Sequence, residues 1–250
     1  MQTLGRRPFL AGLIAGAAGA QTGYVPKQSD RPETLTGDEP GFNSMFDGKT
    51  LSGWEGDPKY WRVADGVMTG EITPETLIKS NTFLIWREGS PRDFELKVDY
   101  RITTGGNSGV NYRSVVVPDA VTPANRFAMR GYQCDIDGQN RYTGNNYEEK
   151  GRLFLAVRGE VTRVTGTRTP IVVSTTGDNK ELAGLITADW NSIHLVVREN
   201  VLMHNINGRL MSVTIDDDAK GRTMEGLIGV QVHVGGPMKI EYRNWRVKKL

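Results

Sequence analysis

Hydrophobic and polar positions alternate with period two through most of the patterned stretches of this chain. In residues 93–102, Phe94, Leu96, Val98, Tyr100 and Ile102 alternate with Glu95, Lys97, Asp99 and Arg101. That pattern predicts a strand with one dry face and one wet face. Gly105-Gly106-Asn107-Ser108-Gly109 then breaks the alternation with residues that tolerate the positive φ of a tight reversal. Val110 and Tyr112 resume it against Asn111 and Arg113. The stretch predicts a hairpin, around which the other elements are placed.

Residues 61–68 predict two short strands about an Asp65-Gly66 turn. Residues 82–86 form a dense apolar run, a strand buried on both sides or lying against the edge of the hairpin. Residues 118–123, with a proline at each end, predict a loop. In the next strand Tyr132, Cys134 and Ile136 alternate with Gln133, Asp135 and Asp137, and residues 139–150 predict a polar, aromatic loop overhanging a neighbouring surface. A strand over 153–157 and two irregular strands over 171–174 and 182–187 follow. Residues 190–198 pair with 201–206 across Glu199-Asn200, and Asn207-Gly208 turns the chain into 210–215. Asp216-Asp217-Asp218 reads as a solvated acidic turn. Strands over 228–234 and 240–247 end the chain.

Many short alternating runs and 30 glycines in 250 residues, without an internal repeat, predict an all-β, two-sheet antiparallel sandwich over residues 41–250. A single cysteine, Cys134, excludes an intrachain disulfide framework and a cysteine-rich metal site. Residues 1–20 carry Arg6-Arg7 followed by Pro8-Phe9-Leu10 and an apolar run ending Ala18-Gly19-Ala20. This predicts a twin-arginine-type export signal, hence a periplasmic or secreted protein. The run is too short for a comfortable membrane span, and residues 21–40, rich in small and charged residues, predict a flexible spacer. Arg6 and Arg7 account for the whole excess of 31 basic over 29 acidic residues. The remainder is formally neutral, without a basic stripe, which argues against a nucleic-acid binder. No obligate protein partner is evident.

Seven pieces occur in order: GFNSMFDGKTLSGW, WRVADGVMTG, DFELKVDYRITTGGNSGVNYRS, GYQCDID, Asp189-Trp190-Asn191, HNINGR and GVQVHVGGPMKIEYRNWRVKKL. Together they resemble the bacterial 3-keto-disaccharide hydrolase domain family over residues 41–250. The resemblance implies a concanavalin-like jelly roll, export, and cleavage of glycosides whose ring has been oxidised to a ketone. Many relatives carry Gly-x-Glu-x-Gln where this chain has Gly131-Tyr132-Gln133-Cys134-Asp135. The carboxylate has moved two residues along the same strand face, which marks a divergent branch.

Alternation places Arg101, Asn111, Arg113, Gln133, Asp135, Asp137, Gln231 and His233 opposite the apolar residues of their strands. If those strands share a sheet, they make a polar wall of amides, carboxylates and arginines of the sort that meets sugar hydroxyls. A solvated face is also the ordinary state of an antiparallel sheet. The directional hydrogen-bonding groups and scarcity of lysine set this one apart.

A ring ketone acidifies the proton on the adjacent carbon. A base can remove it and expel the glycosidic oxygen, after which water adds back. That route needs a base, an acid and donors for the developing enolate. His233, Asp135 and Glu148 are the candidate catalytic groups, with Arg113 as the clamp and Tyr147 as a further sugar contact. Asp135, Asp137, Glu148 and His233 form an alternative divalent-ion set. His194 and His204, facing each other across the Glu199-Asn200 turn, lack a third ligand and read as structural. Ser108 has no adjacent base.

Two other functions compete. One is a carbohydrate-binding module without turnover. The other is a paired-carboxylate glycosidase, which needs two glutamates alternating on one strand, a pattern no strand segment here carries.

Overall fold

The computed structural model of the chain describes residues 40–166 and 169–250. The expected signal, and the expected spacer except Pro40, lie outside them. Seventeen strands and one short helix follow in order: β1 (Asn43–Ser44), β2 (Trp54–Glu55), β3 (Trp61–Ala64), β4 (Val67–Ile72), β5 (Thr82–Trp86), β6 (Phe94–Ile102), β7 (Asn107–Val116), β8 (Met129–Asp137), β9 (Asn146–Glu149), β10 (Leu153–Ala156), β11 (Glu160–Val164), β12 (Ile171–Thr175), α1 (Asn179–Ala183), β13 (Asn191–Arg198), β14 (Val201–Ile206), β15 (Arg209–Asp216), β16 (Leu227–Val232) and β17 (Met238–Lys249). They form two sheets packed face to face, as the alternation predicts. The larger runs β12-β11-β15-β14-β13-β6-β17-β4-β3, with β1 also on β17, and the smaller runs β10-β9-β8-β7-β16-β5-β2. The β11–β15 pair is parallel.

The 93–114 stretch forms both predicted strands, but they are not a hairpin. β6 pairs with β13 and β17 in the larger sheet, whereas β7 pairs with β8 and β16 in the smaller one. The glycine-rich link carries the chain across the sandwich. Each strand has a complete apolar face, and the two faces meet across the core, where Phe94 packs edge-on against Tyr112 with centroids 6.2 Å apart. Side-by-side pairing would have put both faces on one surface of one sheet.

The predicted Asp65-Gly66 and Asn207-Gly208 turns form, all four residues having positive φ. β5 is buried on both faces. Residues 139–150 are not only a loop, because Asn146–Glu149 adds to the sheet edge as β9 beside β8. Where a strand is expected over 182–187, α1 occupies Asn179–Ala183, its N-terminus capped by Asp178 Oδ1 accepting from the Lys180 and Glu181 amides. β11 is an unpredicted strand. His194 and His204 do not face each other: Leu195 pairs with His204 and His194 with Asn205, so the imidazoles leave opposite sides of the sheet. His194 meets Glu95 at 2.8 Å outside. His204 is buried between the Tyr112 hydroxyl and the Asn145 carbonyl. Asp216 is likewise buried, accepting from the Tyr132 hydroxyl at 2.6 Å.

Candidate functional site

The outer face of the smaller sheet carries the polar wall. Along β8, Tyr132, Cys134 and Ile136 enter the core, so Gln133 and Asp135 point outward. Asn111 lies beside Gln133 on β7 and Tyr147 beside it on β9; Glu149 pairs with Gly131. β7 places a glycine, Gly109, beside Asp135. A Cβ there would stand 2.5 Å from Gln133 Cδ, so the missing side chain gives the Gln133 amide room to lie across the strand.

A chain of hydrogen bonds runs over this face. Gln133 Nε2 donates to Asp135 Oδ1 at 2.7 Å, and Gln231 Nε2 reaches both Gln133 Oε1 and Glu149 Oε2 at 3.3 Å. Glu149 Oε1 accepts from Asn81 Nδ2, also at 3.3 Å, and Asn81 Oδ1 accepts the Val234 amide at 2.9 Å. His233 follows β16 directly, and its Nδ1 donates to the Val234 carbonyl at 2.6 Å. That bond fixes the proton of a neutral ring on Nδ1 and leaves Nε2 with the lone pair.

Above the network lies a cavity of about 270 Å³. Asn81, Asn107, Gln133, Asp135, Glu149 and His233 give its polar lining, and Tyr142, Tyr147 and Phe154 its aromatic side. Phe154 packs on Tyr147 at 5.1 Å and on Tyr142 at 5.8 Å, making a partly exposed ledge. Burial pushes Asp135 up to about 8, against the Gln133 hydrogen bond and with help from the charges of Glu149 and Asp137. Burial also raises Glu149, opposed by Asn81, Lys150, His233 and Gln231. Tyr147 is raised by burial and by the two carboxylates, so it remains a donor.

Of the residues singled out from the sequence, Gln133, Asp135, Tyr147 and His233 line this one cavity, and Gln231 is hydrogen-bonded to Gln133 and Glu149. Asn111 lies on the same face but is fully buried, and its amide has no hydrogen-bond partner among the described residues. Asp137 shares the face of β8, yet it is closed off by the Arg141 amide at 2.8 Å and guanidinium at 3.0 Å. Burial raises its pKa, but these bonds leave it below the ordinary value.

Three expected residues are elsewhere. Glu148 lies between Tyr147 and Glu149, so its side chain leaves the opposite side of β9, where Arg152 binds it through Nε at 2.7 Å and binds Asp216 through Nη2, also at 2.7 Å. Arg113 follows Tyr112 into a bulge with φ of 45°. The break in alternation turns it away from the wall to donate to the Arg92 and Glu199 carbonyls and to Asp93. Arg101 belongs to β6 in the other sheet, where it pairs with Glu241 and lies over Trp190.

The four-residue divalent-ion set is accordingly not assembled. Among the described residues no group of three or more His, Cys, Asp or Glu is placed to hold a metal. Residues that sequence reasoning missed are Asn81, Asn107, Tyr142, Glu149 and Phe154. Period two on β9 was a usable signal for Glu149, since it shares a face with Tyr147.

Residues 41–248 match the family described as the 3-keto-alpha-glucoside-1,2-lyase-like domain. A curated protein, the 3-keto-disaccharide hydrolase of Bacteroides thetaiotaomicron, is 33% identical over 82 residues. That alignment covers 30% of this chain and only 28% of the relative's length. Among solved structures, a candidate glycosyl hydrolase from Parabacteroides distasonis matches with a TM-score of 0.52 at 22% identity, covering 84% of this chain and 94% of that one. A Bacillus subtilis protein with a galectin-like fold matches at 0.54 and 13% identity, covering 80% and 90%. At such identities the likeness is one of fold.

Proposed function

We propose that this chain, which belongs to the 3-keto-alpha-glucoside-1,2-lyase-like domain family, cleaves 3-keto-glycosides by elimination followed by hydration. The observation that carries the reading is one cavity shared by Asp135, a buried carboxyl raised to about 8, and His233, whose Nδ1 is spent on a carbonyl. Below about pH 8 the first group holds a proton to give, and Nε2 of the second is the ring nitrogen left to accept one.

The ring ketone lowers the acidity barrier at the carbon next to the anomeric centre. His233 Nε2 removes the proton from that carbon. The C–H electrons form a double bond to the anomeric carbon while the anomeric C–O electrons leave with the departing oxygen, which takes the Asp135 proton. Charge building on the ketone oxygen is met by neutral donors, Asn81, Asn107 and Tyr147, in place of the expected Arg113 clamp. Water then adds across the double bond, its oxygen to the anomeric carbon and a proton to its neighbour, so the sum is hydrolysis. Glu149, bound by Asn81 and Gln231, holds the amides in position and favours the imidazolium formed in the first step.

His233→Ala and Asp135→Asn, assayed on a 3-keto-glucoside and its unoxidised parent, test this. Each should lose roughly a hundred- to ten-thousand-fold in turnover, with no cleavage of the parent glucoside by any form. Activity of the native chain should fall above about pH 8, as Asp135 ionises. The aromatic ledge also favours a second reading, a carbohydrate-binding module. That reading requires sugar binding with no turnover, and undiminished turnover in both variants would remove these residues from the chemistry.

A further inference from the structure

In the smaller sheet, β8 with Asp135 lies between β16, which leads into His233, and the β9–β10 pair, which carries Tyr147 and Phe154. The candidate base and the aromatic ledge therefore flank Asp135 on opposite sides. Phe154 and Tyr142 are 42% and 39% exposed, whereas Gln133 and Asp135 are buried, so the cavity has a closed polar floor and an open aromatic rim. The rim is held in place. Tyr142 belongs to the loop that joins β8 to β9, residues 138–145. Asp137 Oδ2 accepts the Arg141 amide at 2.8 Å, and the Asp137 carbonyl accepts Thr143 Oγ1 at 3.0 Å. Arg158 is buried and donates to the Thr143 carbonyl at 2.6 Å and the Asn140 carbonyl at 3.0 Å. The Arg141 guanidinium lies 5.4 Å from the centre of the Tyr142 ring, whose other neighbour is Phe154. Burying a guanidinium is costly unless it is hydrogen-bonded, and this one is spent on the loop that keeps an aromatic ring in water.

We infer that Tyr142 and Phe154 are specificity-determining residues that hold the leaving group, and that they select one that is itself a ring, taken by its face. The inference rests on the function proposed above. There His233 takes a proton from one carbon, and Asp135 gives one to the oxygen on the next. The departing group then lies on the side of Asp135 away from His233, where the ledge stands. A cavity of about 270 Å³ lies just under the usual range for ligand pockets, roughly 300–1,000 Å³, so it encloses one ring and leaves the rest of a glycoside against the open rim. The aromatic faces on that rim meet water in the free protein. Covering them with the C–H face of a sugar, or with an aryl ring, takes apolar surface of both partners out of water. An open-chain alcohol has no such face to offer.

The test measures kcat/KM of the native chain, Phe154→Ala, Tyr142→Ala and Tyr142→Phe on three 3-keto-glucosides. Their leaving groups are methanol, 4-nitrophenol and a second glucose ring. The readout is the ratio of each ring substrate to the methyl one, variant against native chain, so that intrinsic leaving-group ability and any loss of folded protein both cancel. The alanine variants should lower that ratio by about tenfold, the low end of the roughly 10–200-fold that small changes in an apolar pocket produce. Tyr142→Phe keeps the face and should keep the ratio. A fall confined to the glucosyl substrate assigns the ledge to sugars, and one confined to the aryl substrate assigns it to aryl groups. Ratios that neither alanine variant moves overturn the inference while leaving the proposed chemistry standing. If the native chain cleaves none of the three, the proposed chemistry fails. Calorimetric affinities for the same compounds then decide the role of the ledge: selective weakening of the ring ligands in the alanine variants supports it, and parallel or absent weakening refutes it.

Discussion

Asp135 sets function against stability at the scale of a single side chain. Its pKa is raised from 3.8 to about 8, so between those values the folded chain holds a proton that the unfolded chain releases. The stability this contributes is fully present below about pH 4 and is lost as the pH rises through about 8. Asp135→Asn cannot ionise, and its amide oxygen can still accept from Gln133. It should therefore melt at a higher temperature than the native chain at pH 8 and show almost no difference at pH 4, while losing turnover. A variant less stable than the native chain at pH 8 would mean that Asp135 ionises well below that pH. The neighbouring Glu148 and Glu149 show what a sequence of residues leaves open. Tyr147 and Glu148 cannot both serve one face of a strand, and period two selects Glu149 once the segment is known to pair. Composition gave no such indication, because an overhanging loop and a short edge strand can have the same polar, aromatic content.

Which sheet a strand joins is a choice made beyond the strand, and alternation does not encode it. β6 and β7 were legible one at a time, as far as the apolar residues that face the core, Phe94 to Tyr100 and Val110 with Tyr112, but their glycine-rich link serves an arch between sheets as well as a hairpin. Arg101 was lost from the site through that ambiguity. Arg113 was lost through a bulge, where one extra residue reverses the side on which everything after it emerges. β8 had no such interruption over Gln133 and Asp135, and its part of the wall was readable. The fit between β7 and β8 gives an element-scale prediction. Gly109→Ala would place a carbon 2.5 Å from Gln133 Cδ, so the Gln133 side chain must swing off its 2.7 Å bond to Asp135. That bond holds the Asp135 pKa down. The variant should keep its unfolding midpoint, lose about tenfold in kcat/KM, and move the alkaline limb of its pH profile upward. An unchanged limb would show that Gln133 does not tune Asp135.

Across the whole molecule, one apolar cluster runs from Met45 to Val247 and joins both sheets. The two ends of that span meet on β17, where β1 pairs Asn43 with Val247 and Ser44 with Arg246. Met45 closes the join. Its amide donates to the Trp245 carbonyl at 3.0 Å, its carbonyl accepts from Trp54 Nε1 at 2.7 Å, and its side chain is buried beside the Trp54–Trp245 pair, whose centroids are 4.9 Å apart. The motif GFNSMFDGKTLSGW thus includes a clasp on the last strand and supplies none of the residues that line the polar cavity. A chain begun at Gly41 should unfold in urea as one transition, at the midpoint of the full chain, and retain its turnover. A chain begun at Asp47 lacks the β1 pairing, both hydrogen bonds and the Met45 side chain, leaving two tryptophans facing a void. Losing a buried side chain of this size costs about 2–5 kcal/mol, so its midpoint should fall well below that of the longer form. Its kcat/KM should nevertheless be preserved in the fraction that remains folded, because β8, β9 and β16 lie in the other sheet. Equal midpoints would show that the clasp is dispensable. A selective loss of turnover at full stability would show instead that the N-terminal segment reaches the site.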